Sequence, residues 1–127
     1  MAKFLSEEWI KLYAEEWNKN QKLKEGLKNF SATIKYYIEG ENSPPVCIEV
    51  KNGEVVKAGL SEEGKKYNFE MWATPENWKI LATGQMGPKA AMLTKKLKFK
   101  GSMITAMKYM GPFEESLKMM SKIPTEW

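Results

Sequence analysis

The sequence predicts a single α+β domain over residues 1–127: a five-stranded, mainly antiparallel sheet with helices covering one face. Three observations carry that prediction. Apolar and polar side chains alternate strictly over residues 30–39, Asn52-Gly53 sits between two runs of strand-forming residues, and apolar residues recur at helical spacing towards both ends of the chain. A period of two and a period of 3.6 in separate blocks of one chain describe a sheet with helices packed against it.

The elements follow in order. Ser6 supplies a side-chain acceptor, and Glu7 and Glu8 supply negative charge, at the start of a helix on which Trp9, Leu12, Tyr13 and Trp17 return every three or four positions, up to a stop near Asn20. Its polar face is mostly acidic (Glu7, Glu8, Lys11, Glu15, Glu16), which suits a packing helix and not a membrane-surface helix. Phe30, Ala32, Ile34, Tyr36 and Ile38 then point one way and Ser31, Thr33, Lys35, Tyr37 and Glu39 the other, giving a half-buried strand. After a loop over residues 41–45, VCIEV (46–50) and EVVKAG (54–59) flank Asn52-Gly53 as a hairpin. YNFEMWA (67–73) is a fourth strand, with Tyr67, Phe69, Met71 and Ala73 on one face.

Thr74-Pro75-Glu76 opens a helix over Trp78 and Leu81 that stops near Gly84, and Pro88 opens another through Leu93. Lys96, Lys98 and Lys100 alternate with Leu97 and Phe99 in a fifth strand, an edge strand with one charged face. Past Gly101, Met103, Ala106, Met107 and Met110 fall at i, i+3, i+4 and i+7, and the spacing predicts a helix that Gly111-Pro112 breaks. Phe113, Leu117 and Met120 continue the stripe on a last helix.

Composition excludes more than it suggests. All 20 basic residues are Lys and all 16 acidic residues are Glu, so His, Arg and Asp are absent. Without imidazole there is no usual base for a Ser or Cys nucleophile and no usual nitrogen ligand for zinc, copper or iron, and no catalytic residue, metal or cofactor is expected. Cys47 lies between Val46 and Ile48 with no neighbour that would activate it, and the adjacent pairs Glu62-Glu63 and Glu114-Glu115 diverge on any regular element. Without Arg there is no bidentate fork for phosphate or guanine, and Phe99 alternates away from the lysines, so nucleic acid is not an expected partner. One cysteine forms no internal disulfide, and the longest apolar run is Ala90-Ala91-Met92-Leu93, so a soluble cytoplasmic protein is expected. A charged set restricted to Lys and Glu has the bias of proteins from high-temperature organisms, and equally that of a skewed genome.

Charge and methionine are both unevenly placed. Residues 84–110 hold six Lys and no Glu, whereas residues 1–83 hold 12 Lys and 13 Glu, so the positive excess of the +4 chain lies in that one segment. Eight of the nine methionines follow residue 70: Met71, Met86, Met92, Met103, Met107, Met110, Met119 and Met120. Methionine is unbranched and polarizable, so it fills an irregular core or forms a wall that repacks around apolar guests.

GQMGPKAAMLTKKLKFKGSMITAMK (84–108) resembles the C-terminal signature of the sterol carrier protein type-2 family. The match lies in Gly84, Pro88 four residues on, the small pair Ala90-Ala91, the Lys-Leu-Lys strand, Gly101, Met103 and Ala106-Met107-Lys108. The upstream order of helix, hairpin, strand and Thr-Pro helix start resembles the family as well. The resemblance implies helices that enclose an apolar tunnel against the sheet, and non-catalytic binding and carriage of fatty acids, fatty acyl-coenzyme A, sterols or related lipids. It implies a lipid-binding wall of Met71, Met86, Met92, Phe99, Met103, Met107, Met110, Phe113, Leu117 and Met120, with Thr94, Lys95 and Lys108 meeting a polar head group. Lys89, Lys96, Lys98 and Lys100 are further cations able to attract an anionic head group or bilayer. The partners expected are therefore a lipid ligand, a membrane in transient contact and, in an alternative reading, a partner enzyme to which the domain presents a lipid or a hydrophobic groove. The chain departs from the family pattern at Lys95, where glycine is frequent, and at Thr94, where a polar amide is frequent. It also ends in Thr125-Glu126-Trp127 instead of the peroxisomal tripeptide of many animal members.

Overall fold

A computed structural model describes residues 1–127. The chain opens with a two-residue strand, β1 (Ala2–Lys3), and enters helix α1 (Glu7–Lys19), where the Ser6 side chain accepts the Trp9 N–H at 3.2 Å. The face carrying Trp9, Ile10, Tyr13, Ala14 and Trp17 is buried. Asn20 ends α1, and its side chain accepts the Leu23 N–H at 3.1 Å to cap a six-residue helix, α2 (Gln21–Gly26). One buried side chain, Leu23, is too little apolar periodicity for the sequence to announce that helix.

The sheet contains β2 (Ala32–Ile38), β3 (Val46–Lys51), β4 (Glu54–Leu60), β5 (Phe69–Ala73) and β6 (Lys98–Lys100), in the order β4-β3-β2-β5-β6. Neighbours are antiparallel except β2 and β5, which run parallel with Tyr36 opposite Met71. The sheet is thus mixed, because the β3–β4 hairpin sits between β2 and β5 in sequence while β5 returns to the other side of β2. Helices α3 (Pro75–Ala82), α4 (Pro88–Leu93), α5 (Met103–Lys108) and α6 (Met110–Lys118) complete the chain, with a 3-10 turn (Met119–Lys122) and β7 (Thr125–Glu126). β7 pairs in parallel with β1 and ties the two ends together.

Among the boundaries that differ from the sequence expectation, β5 starts at Phe69 and leaves Tyr67 outside the strand, and two others have a local cause. β6 begins at Lys98 because the N–H groups of Lys96 and Leu97 both go to the Ala91 carbonyl, at 2.8 and 3.0 Å, and are drawn to the end of α4. The methionine stripe breaks at Tyr109, and Gly111-Pro112 lies in the first turn of α6. A proline ring clashes with the carbonyl four residues back, here Lys108, so the first helix must end there. In the first turn of the next helix the missing N–H has no partner to lose.

One sheet face, including Ala32, Ile34, Tyr36, Val46, Ile48, Phe69 and Met71, packs under the helices as a continuous core. Around the hairpin, Asn52 (φ 50) and Gly53 (φ 85) make the expected turn, and the Trp17 indole donates to the Gly53 carbonyl at 2.9 Å. A Cβ on Gly53 would lie 2.8 Å from the Lys24 carbonyl oxygen and 2.9 Å from that of Leu27, so close packing demands glycine as much as the turn does. The Asn18 side chain bonds both the N–H and the carbonyl of Val55 at 2.9 Å, beside the register shift at Glu49/Val50.

Two buried phenols meet below α6. Tyr13 donates to the Ser116 carbonyl at 2.9 Å, whereas the Tyr36 hydroxyl has no hydrogen-bond partner of good geometry. Burial pushes Tyr13 up to about 12 and Tyr36 well above the ordinary phenol value, and each hydroxyl also influences the other. A raised folded pKa means that the associated stability is complete below about pH 10, where both states are protonated, and is lost as pH rises through about 12. Tyr36→Phe removes an unpaired buried hydroxyl. It is expected to leave neutral-pH stability unchanged or raise it by up to about 1 kcal/mol, and to lessen the alkaline loss, as urea titrations at neutral and strongly alkaline pH would measure.

Candidate functional site

At the β6 edge of the sheet, α4, β6, α5 and the start of α6 surround a cavity of about 620 Å³. Its walls are Trp72, Lys89, Met92, Leu93, Lys95, Leu97, Lys98, Phe99, Met103, Met107 and Met110. Local sequence explains the shape. α4 runs from Pro88 to Leu93 with Thr94 as its C-cap, after which Lys95 adopts φ 60, a left-handed conformation in which glycine is the unstrained residue. That turn swings the chain back towards the sheet, where Leu97 is buried and β6 lasts only three residues.

Gly101 (φ 146) then carries the chain over Phe69 and into α5, which Ser102 caps by accepting the Thr105 N–H at 3.2 Å. A Cβ on Gly101 would lie 2.5 Å from Phe69 Cδ1 and 2.7 Å from the Asn68 carbonyl oxygen. Gly101→Ala is expected to cost about 2 kcal/mol, measured as a lower thermal midpoint.

α5 buries one residue, Ala106, so its methionines are not embedded in the core. Met103 and Met107 line the cavity yet are 52% and 68% exposed, and with Leu93 they mark where it opens to solvent. Phe99 stands opposite Met71 on the sheet and packs on Phe69 at 5.6 Å between ring centres. Phe69 in turn meets Phe30 and Phe113, which belong to the buried core.

The structure brings Met92, Phe99, Met103, Met107, Met110 and Lys95 around this one space. Other residues expected to join them do not. Met71, Phe113, Leu117 and Met120 are buried core, and Met86 is half-buried against that core, away from the cavity. Their apolar spacing is the same as that of the lining residues, and spacing alone cannot tell the inner side of a helix from the side facing a cavity. The Thr94 hydroxyl is turned to α4, donating to the Ala90 carbonyl at 2.8 Å. Lys108 does not line this cavity and borders instead a polar depression of about 380 Å³ with Asn29, Ser31, Asn68 and Thr105.

Sequence reasoning missed Trp72, Leu93 and Leu97 as wall residues. Trp72 lies on the outward face of β5, paired with Lys98, and reaches the cavity around the short edge strand, a path no periodicity encodes. Alternation turned Leu97 inward without placing it in the wall and sent Lys98 outward, and Lys89 and Lys98 were expected only as cations able to attract a head group. No acidic residue lines the cavity. Lys98 is held by Glu39, Nζ to Oε1 at 2.6 Å, whereas Lys89 and Lys95 form no ion pair. Cys47 is on β3, near the Leu60 carbonyl at 3.7 Å, and lines no part of this space. Chemically, the site is an apolar wall with two free cations at its rim, suited to an amphiphile with an anionic end.

The chain matches the model of the SCP-2 sterol transfer family over residues 10–114. It is similar in fold to a crystal structure of sterol carrier protein 2, with a TM-score of 0.86 and 16% identity, over 96% of this chain and 100% of that one. It is also similar to a conserved hypothetical protein of Thermus thermophilus described as possibly a sterol carrier protein, with a TM-score of 0.84 and 15% identity, over 99% of this chain and 93% of that one. A UbiJ-SCP2 ubiquinone synthesis protein superposes with a TM-score of 0.60 and 13% identity, over 91% of this chain and 90% of that one. At these identities the structural likeness establishes the fold. No curated protein sequence matches significantly.

Proposed function

Because this chain belongs to the SCP-2 sterol transfer family, whose domain binds and transfers lipid, we propose that it carries fatty acids, fatty acyl-coenzyme A or related lipids in the cavity beside α5, without performing chemistry on them. The observation that supports this reading is the make-up of the wall: eight of its 11 residues are hydrophobic and the other three are lysines. A volume of about 620 Å³ lies within the range of roughly 300–1,000 Å³ usual for small-molecule sites.

Magnitudes divide the work. A buried sixteen-carbon tail represents about 12 kcal/mol of gross transfer energy, at about 0.8 kcal/mol per methylene, before ordering costs. An exposed lysine–carboxylate contact contributes about 0–1 kcal/mol. In this reading Met92, Leu97, Phe99, Met103, Met107 and Met110 supply affinity, and Lys89 and Lys95 orient the head group. A tail that draws α5 inward would turn the open cavity into the tunnel implied by the family resemblance. Uptake and delivery of such a guest proceed through transient membrane contact. We also propose the cytoplasm as the compartment, which the free Cys47 supports; no helix is long and apolar enough to cross a membrane.

Titration with a fluorescent fatty acid, with native mass spectrometry of protein purified from a lipid-rich lysate, tests the proposal. Saturable stoichiometric binding and a co-purifying lipid are expected; absence of both would overturn it. A second reading, in which the open cavity presents its lipid to a partner enzyme, is favoured by the exposure of Met103 and Met107. It predicts a defined complex that Met103 or Met107 substitutions dissolve.

A further inference from the structure

We propose that the face around the cavity opening, formed by α4 and α5, docks on an anionic bilayer. This rests on the carriage reading only in taking the cavity as the route of the lipid. Leu93, Met103, Ile104 and Met107 are 76%, 52%, 84% and 68% exposed, and they are four of the chain's eight exposed large hydrophobic residues. Concentration within residues 93–107 distinguishes them from the scattered apolar residues of an ordinary surface.

The segment that carries them has charge of one sign, and the one acidic side chain ion-paired to it, Glu39, is held by Lys98. Residues 84–110 carry six lysines and no acidic residue. Lys89 and Leu93 are four apart on α4, and Ile104 and Lys108 are four apart on α5, so each short helix sets a cation one turn from an apolar tip. Lys89, Lys95, Lys96, Lys100 and Lys108 form no ion pair with the protein. Apolar tips ringed by flexible lysine stems suit the boundary between acyl chains and phosphates, where the stems lie in the headgroup layer and the ammonium groups meet anionic lipid. The opening of the cavity lies among those tips, so a lipid tail would pass between bilayer and protein without crossing water. A nucleic acid fits less well, since the tips are aliphatic and no Arg is present. Helix α1 is not the docking element, because its apolar face is buried and Glu7 and Glu8 lead its polar face.

Flotation with vesicles of phosphatidylcholine alone, and of phosphatidylcholine mixed with phosphatidylglycerol, tests the proposal. Binding to the mixed vesicles is expected to fall steeply with added salt, and phosphatidylcholine alone should bind weakly. Ile104 does not line the cavity. Ile104→Glu is therefore expected to weaken vesicle binding about tenfold or more while fatty-acid binding is unchanged. Val56→Glu, at an exposed apolar site on β4, should leave both unchanged. Joint Lys96→Ala and Lys108→Ala replacement should weaken vesicle binding about tenfold and flatten its salt dependence.

Equal vesicle binding by Ile104→Glu and the unaltered chain would overturn the proposal. So would no vesicle binding by the unaltered chain, including the case in which Ile104→Glu abolishes a self-association or a protein complex instead. If Ile104-dependent vesicle binding persists while no fatty acid binds, the docking face stands and the carriage reading fails.

Discussion

Trp17→Ala is expected to cost about 4 kcal/mol of folding stability, within the roughly 3–5 kcal/mol typical of a buried aromatic truncation. Trp17 is fully buried, packs edge-on against Tyr13 at 5.9 Å, and donates its indole N–H to the Gly53 carbonyl at 2.9 Å. The substitution opens a void beneath α1 and leaves a turn carbonyl without its donor, at the point where α1 locks the β3–β4 hairpin. Since a domain of this kind is stable by about 5–15 kcal/mol in all, the variant should be close to unfolding. Urea titration measures the loss, and Trp17→Phe separates its parts: packing largely returns, and the deficit left is about 1–2 kcal/mol for the hydrogen bond. A loss below about 1 kcal/mol for Trp17→Ala would contradict this account.

Met107→Glu is expected to weaken fatty-acid binding by about 2–3 kcal/mol, roughly 30- to 150-fold, with little change in stability. Met107 lines the cavity and is largely exposed, so a carboxylate there stays hydrated in the empty protein. A bound acyl chain would strip that water from the charge. The penalty therefore falls on the complex and not on the fold, which thermal melts beside the fluorescent titration would show. Met107→Leu keeps the apolar contact and should bind within about threefold of the unaltered chain. Equal binding by Met107→Glu and the parent would remove this wall from the proposed site.

Most of the fold was legible because its signals are local. The Ser6 and Thr74 caps, the alternation of β2, the Asn52-Gly53 turn and the Pro88 start each act within a few residues, and each appears where the pattern placed it. What was illegible depends on distant partners. The β1–β7 pair joins the two ends of the chain, and the shortening of β6 follows from competition for the Ala91 carbonyl. The candidate site divides in the same way. The resemblance and the methionine stripe pointed to Met103, Met107 and Met110, but equal spacing pointed as strongly to Phe113, Leu117 and Met120, which are core.

By itself, then, the sequence determined the main elements other than β1, α2 and β7, the inward faces of β2 and β5, the concentration of lysine without acidic residues in residues 84–110, and the family. Period, caps and turn chemistry are properties of neighbouring residues, and a chain carries them before it folds. Only the tertiary structure decided which apolar residues face the cavity, that Trp72 reaches it around a short edge strand, and that α5 rests on the core through Ala106 alone. The physical reason is that a cavity is the space left between elements. Its walls depend on how far α4 and α5 stand off the sheet, a distance set by Lys95, Gly101 and the packing of Leu97, and expressed in no single stretch of sequence.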